Sequence, residues 1–191
     1  SPFKFKILVI KGLAYSYFIS DKHLRPTSDI DLWCTKEDFG RIACLFYRMG
    51  FENIEGGTSG IGQRAVHLYN GQVSIDLHRY LGLENSLTLE FEPIYQEALV
   101  LDRLSSIRCP RLEEQILILS HIYSYESCEQ NNKIERDLAL LITKELDLIR
   151  LLKLAKTYRI EKKLANLLRL SSLKESISDK LKQPDFGIGL F

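Results

Sequence analysis

Hydrophobic and polar positions along this chain follow two rhythms, and the change falls near residue 100. Before it, short strand-like runs alternate with helical stretches and Gly-bearing turns. After it, Leu- and Ile-rich helical patterns run on with few glycines. This predicts an α+β fold: a mixed sheet backed by helices over residues 1–100, and a helical region over 101–191 packing on or beside a cleft.

Residues 5–10 are apolar and β-prone, as a buried strand is. Lys11-Gly12 ends that run, and residues 13–19 read as a short helix. Residues 29–34 alternate carboxylate and apolar side chains, the period of a half-buried strand. Thr35 with Asp38 three later resembles a capping box. The helix it opens sets Phe39, Ile42, Phe46 and Met49 on one face, and Gly50 closes it. Residues 51–55 predict a short strand and 56–62 a Gly-rich loop. Asn70-Gly71 then separates two alternating runs, 64–69 and 72–80, the pattern of a type I′ hairpin. Residues 92–99 predict a helix and 101–109 a strand or extended segment. Helices follow at 113–127, 133–154 and 159–182, with packing stripes such as Ile116, Leu119 and Ile122, and Leu138, Leu141, Leu146, Ile149 and Leu152.

The 191 residues suffice for one sizeable domain with a helical annex. The net charge of +1 argues against a nucleic-acid partner, which needs a basic groove. No apolar run approaches the roughly 20 residues that span a bilayer, and residues 1–6 lack the shape of a signal peptide. Cys34, Cys44, Cys109 and Cys128 have no zinc-site spacing. They read as reduced thiols of a cytoplasmic protein.

The chemistry concentrates in carboxylates. Asp29 and Asp31 sit two apart on a strand, so both side chains point to one face, with Trp33 beyond them. At roughly 6–7 Å apart they repel unless a cation lies between them. A two-residue Asn70-Gly71 loop would set Tyr69 opposite Gln72, His67 opposite Ser74 and Ala65 opposite Asp76. One side of the hairpin then carries Ala65, His67, Tyr69, Gln72, Ser74, Asp76 and His78, with Val66, Leu68, Val73, Ile75 and Leu77 on the core side. The polar side holds no Lys or Glu, the usual choices for a solvated face. Lys11-Gly12 stands at a strand-to-helix turn, where backbone can approach a ligand and a helix N-terminus offers N–H groups to phosphate.

Together Lys11-Gly12-Leu13-Ala14, Arg25, Ser28-Asp29-Ile30-Asp31-Leu32 and Ser74-Ile75-Asp76-Leu77-His78 resemble the DNA polymerase β-like nucleotidyltransferase superfamily. Within it, the chain is most similar to an uncharacterised nucleotidyltransferase family with the pattern K-G-x-A, R-x-x-S-D-I-D-L and D-x-H. The resemblance implies a nucleotidyltransferase-type sheet backed by helices. It implies that Asp29, Asp31 and Asp76 are catalytic and hold Mg²⁺ or Mn²⁺, with a nucleoside triphosphate as substrate. Lys11, Gly12, Arg25 and Ser28 would bind the nucleotide. Asp76 would assist the acceptor hydroxyl. His78 is read as orienting Asp76 or contacting substrate, His67 as a second substrate contact, and His121 and Lys144 as weaker candidates on helices near the cleft. The implied activity is transfer of a nucleoside monophosphate to a hydroxyl of an unidentified small molecule or protein.

One residue departs from the pattern. Leu13 stands where the superfamily has Ser or Gly, and Ser16, one turn on, is its nearest substitute. The departure leaves a second reading open: a non-catalytic nucleotide-binding or partner-binding, antitoxin-like module on the same fold.

Overall fold

The four-residue run Ile-Leu-Val-Ile forms the first strand, β1 (Ile7–Ile10), and it is buried beyond its first residue. A strand covered on both faces reads as continuous rather than alternating apolar sequence. The computed structural model describes residues 5–19, 27–54, 64–81, 89–101, 107–123, 128–142 and 146–169. After β1 come α1 (Lys11–Phe18), β2 (Asp29–Cys34), α2 (Lys36–Arg48), β3 (Glu52–Asn53), β4 (Ala65–Tyr69), β5 (Ser74–His78), α3 (Phe91–Glu97), β6 (Leu99–Val100) and β7 (Ile107–Cys109). The helices α4 (Leu112–Tyr123), α5 (Cys128–Leu141), α6 (Leu148–Thr157) and α7 (Glu161–Leu168) complete the order. Backbone packing separates two compact units, Ser1–Arg111 and Leu112–Phe191. The fold is α+β.

The first unit is built on a seven-stranded mixed sheet in the order β3-β4-β5-β2-β1-β7-β6. β2 runs antiparallel to β1 and parallel to β5, which is itself antiparallel to β4. The apolar residues of these strands, Val9, Leu32, Val66, Leu68, Ile75 and Leu77, pack with Phe39 and Ile42 of α2 into one core. Thr35 caps α2 as the sequence predicts, its Oγ1 accepting from Asp38 N at 3.2 Å. Phe39 and Ile42 are buried and Phe46 is half-buried, whereas Met49 lies past the last turn and is exposed. Gly50 follows with φ +85°, a left-handed closing position that suits glycine. On β2, Trp33 meets Phe91 of α3 edge-on, and Phe91 stacks on Tyr95.

The hairpin differs from its predicted register. Tyr69 pairs with Ser74, His67 with Asp76 and Ala65 with His78, leaving a four-residue loop from Asn70 to Val73. A type I′ turn needs positive φ at both central residues, but Gly71 alone adopts it here. Asn70 instead turns its side chain onto the loop, Oδ1 accepting from Gln72 N and Val73 N. The slip is by two residues, so every side chain keeps its face and changes its partner.

In the second unit α4 packs against α5, α6 and α7. It is buried from Leu112 to His121 on all sides, Glu113, Glu114 and Gln115 included. The long helix predicted over 133–154 is two helices. α5 ends at Leu141, and Asp147 starts α6, its carboxylate accepting from Arg150 N at 2.9 Å. Ile149, predicted in the packing stripe, is therefore turned outward and 64% exposed, because the new helix resets the phase. α7 covers only part of the predicted 159–182; residues from 170 onward lie outside the described set, as do the 56–62 loop and Lys144. Among the described residues no helix is long and apolar enough to cross a membrane.

Candidate active site

The sheet register sets Asp31 at the centre of a polar cluster. Asp31 lies beside Asp76 across the parallel β2–β5 pair, and beside Ile10 across β1. His67 lies beside Asp76 on the other flank, and His78 is two residues along β5. Side chains of level residues on neighbouring strands share a face, so Asp29, Asp31, His67, Asp76 and His78 all project to one side.

Lys11 joins them through its backbone. A residue continuing β1 past Ile10 would alternate to the opposite face. Lys11 instead takes φ +53°, the left-handed region that costs a non-glycine residue about 1 kcal/mol or more. Its Nζ then lies 2.7 Å from Asp31 Oδ1. His78 Nε2 lies 3.1 Å from the same oxygen and 3.4 Å from the ammonium. Asp31 is 3% exposed. Burial alone would raise its pKa, but the His78 hydrogen bond and the Lys11 charge outweigh that and hold it below the ordinary carboxylate value. His78 is pushed the other way, below the ordinary imidazole value, chiefly by burial and further by Lys11 against the pull of Asp31 and Asp76. Nε2 donates to Asp31 when it carries the ring proton.

Asp76 Oδ1 lies 2.5 Å from His67 Nδ1, a pair open enough that the histidine side chain is 36% exposed. The sequence offered His78 as orienting Asp76 or contacting substrate. The two-residue slip of the hairpin sets His67 opposite Asp76, and the parallel pairing of β5 with β2 brings His78 to Asp31. Ligand-type atoms of Asp31, Asp76 and His78 lie within 4.8 Å of one another. Two carboxylates and an imidazole form a donor set that fits a divalent cation. The oxygens are of the kind that binds Mg²⁺ or Mn²⁺.

Asp29 stands at the start of β2, level with Ser74, half-buried, and accepts from Ser28 Oγ at 3.1 Å. Gly12 is buried in the first turn of α1. Its N-cap residue, Ile10, makes no side-chain cap and the first turn carries no acidic residue. Leu13 is 41% exposed. Ser16, its suggested substitute, donates its hydroxyl to the Leu13 carbonyl at 2.6 Å. Arg25 lies outside the described residues. In the other unit His121 is fully buried on α4, with Nδ1 3.1 Å from Lys163 Nζ.

The ion pair between Lys11 and Asp31 escaped sequence reasoning. Its only trace is a lysine at a strand end where glycine alone would turn freely.

Comparison with known proteins bears on this geometry. Residues 3–173 match a family described as an uncharacterised nucleotidyltransferase. Among solved structures, the solution structure of the antibiotic-resistance factor ANT(2'')-Ia is similar over 92% of this chain and 83% of that one, at 13% identity and a TM-score of 0.44. No curated protein matches.

Proposed function

The chain belongs to this uncharacterised nucleotidyltransferase family, and from that premise we propose that it transfers a nucleoside monophosphate from a nucleoside triphosphate to a hydroxyl acceptor, small molecule or protein. The observation that supports this most is the convergence of Asp31, Asp76 and His78 to within 4.8 Å. It is a donor set of the right chemistry, next to a strand-to-helix turn suited to phosphate. In this reading Asp31, Asp76 and His78 hold a divalent metal, Mg²⁺ or Mn²⁺, with Asp29 adding a carboxylate from the neighbouring pleat. Bound there, the metal supplies Lewis-acid stabilisation of charge on the phosphates and on the acceptor oxygen.

The chain's own groups do the rest. Gly12 and the first-turn N–H groups of α1 receive phosphate oxygens, as free helix N-termini do. Lys11 and Ser28 add donors, and Arg25 joins them on its place in the motif. In the reaction the acceptor oxygen bonds to the α-phosphorus, the bond from that phosphorus to the bridging oxygen breaks, and pyrophosphate leaves. Asp76, paired with His67, takes the acceptor's proton.

The test is pyrophosphate release and label transfer from nucleoside triphosphates labelled at the α-phosphate, with Mg²⁺ or Mn²⁺ supplied. The wild-type chain is expected to release pyrophosphate and the Asp29→Asn/Asp31→Asn variant to have lost that release. Turnover that survives the double substitution undiminished would falsify this site assignment. Nucleotide binding that needs no metal and leads to no release would favour the non-catalytic module.

A further inference from the structure

Two groups converge on one oxygen of Asp31. Lys11 Nζ and His78 Nε2 lie 2.7 and 3.1 Å from Oδ1, in the cluster proposed above to hold the metal. The ammonium and the carboxylate are unequally housed. The Asp31 side chain is 5% exposed, that of Lys11 26%. The lysine therefore has a way out that the aspartate lacks. Lysine also ends in a point charge on a flexible stem, which can change partners without moving backbone. The backbone beneath it does the opposite. Among the described non-glycine residues only Lys11 and Arg159 have positive φ, and such outliers persist where surrounding structure holds them.

An ammonium and a divalent cation compete for that oxygen, since each needs it and each repels the other. We propose that Lys11 is a resident counter-ion: it neutralises Asp31 in the nucleotide-free protein and is displaced by the incoming metal onto the phosphates of the nucleotide. This deepens, and rests on, the metal-dependent reading above. Lys11 is in this respect a positioning residue whose two partners are Asp31 and phosphate. Metal arriving alone has to evict an ammonium that then has no anion to meet. Metal arriving with a triphosphate gives the ammonium a new partner. Metal and nucleotide therefore bind with positive coupling, and linkage makes that coupling reciprocal. A permanent structural ion pair would produce no coupling through Lys11.

The experiment is a calorimetric titration of the full chain with Mn²⁺, with and without a non-hydrolysable triphosphate analogue. The analogue's own Mn²⁺ affinity is measured in parallel. Wild type, Lys11→Met and Asp31→Asn are compared. We expect the analogue to tighten Mn²⁺ binding to the wild-type chain by about tenfold or more. Lys11→Met is expected to bind Mn²⁺ about tenfold tighter without nucleotide, and to show a coupling smaller than that of the wild type by a similar factor, the metal's direct contact with phosphate supplying the remainder. An Asp31-dependent Mn²⁺ affinity that Lys11→Met leaves unchanged or weakens overturns the counter-ion role alone. So does a wild-type affinity indifferent to the analogue, which decides the matter even if Lys11→Met does not fold. Absence of any Mn²⁺ binding sensitive to Asp31→Asn overturns the metal site itself, and the counter-ion with it.

Discussion

Each of the two units buries a cluster of carboxylates, and the clusters are closed by different cations. In the helical unit Glu113 and Glu114 of α4 meet Arg150 of α6, whose Nη2 is hydrogen bonded to Glu114 Oε1 and whose Nη1 lies 3.8 Å from Glu113 Oε2. Glu113 Oε1 also accepts from Asp147 N at 3.0 Å. In the sheet unit Asp31 meets the Lys11 ammonium and His78, and Asp76 meets His67. Arginine is a planar fork that stays charged and ties two acidic groups to one helix start. Lysine and histidine are exchangeable partners, one mobile and the other able to be neutral. Among the described residues both clusters hold more carboxylate than cation; the arginine of the helical one is fixed between its partners, and the lysine of the sheet one is not. Burial of acid is common to both, so burial alone does not mark a site. What sets the sheet cluster apart is that ligand-type atoms of Asp31, Asp76 and His78 lie within 4.8 Å of one another.

The largest effect that would break this contrast is at Asp31. Asp31→Asn keeps the shape, removes the charge and is expected to lower turnover by about a thousandfold or more, several kcal/mol of transition-state stabilisation. Pyrophosphate release measures it. A variant retaining a tenth of wild-type turnover would put Asp31 on the same footing as Glu114. The reverse holds for Arg150→Ala, which strands two acidic side chains. It is expected to cost about 3 kcal/mol of stability in urea unfolding, the low end for a broken buried pair because Arg150 is a quarter exposed. The folded fraction should keep its turnover; a drop there would make the helical cluster functional.

A smaller effect sharpens the structural side. Asp147→Ala removes the cap of α6 and is expected to cost about 1 kcal/mol, read from the same unfolding curves. A cost near zero would mean that Arg150, rather than the cap, fixes the start of α6. The smallest effect separates lost chemistry from lost fold. Burial, with the Asp38 carboxylate nearby, pushes the Cys34 thiol up to about 12, whereas Cys44 is exposed. At pH 8 a thiol reagent should modify Cys44 and leave Cys34 protonated and unreacted. Asp31→Asn should preserve that difference, since Cys34 lies on the same strand. Rapid Cys34 labelling in the variant would trace its lost turnover to an opened sheet.

Much of this unit was legible because its signals are local. The apolar run before Lys11, the alternation from Asp29 to Cys34 and the Thr35 cap each specify their element within a few residues. The polar face of the hairpin was legible too, since a period of two survives any even slip. The partners on that face were not. Asn70-Gly71 is compatible with a two-residue turn, and only the folded loop shows the Asn70 side chain taking over the hydrogen bonding. In the helical unit the leucine period runs through residues 142–147 without pause, so one helix was predicted where Asp147 begins another.

The sequence by itself determined which residues carry charge and which face of each strand they occupy, because strand periodicity and capping act between near neighbours. It determined in this way that Asp29 and Asp31 share one face of their strand, and that His67, Asp76 and His78 share one side of the hairpin. Tertiary structure alone decided which of them touch. The strand register set His67 on Asp76 and His78 on Asp31, and a left-handed turn at Lys11 delivered an ammonium to the same oxygen. Pairing across strands and a single φ angle are settled by what the rest of the fold packs against them, and no local pattern encodes that.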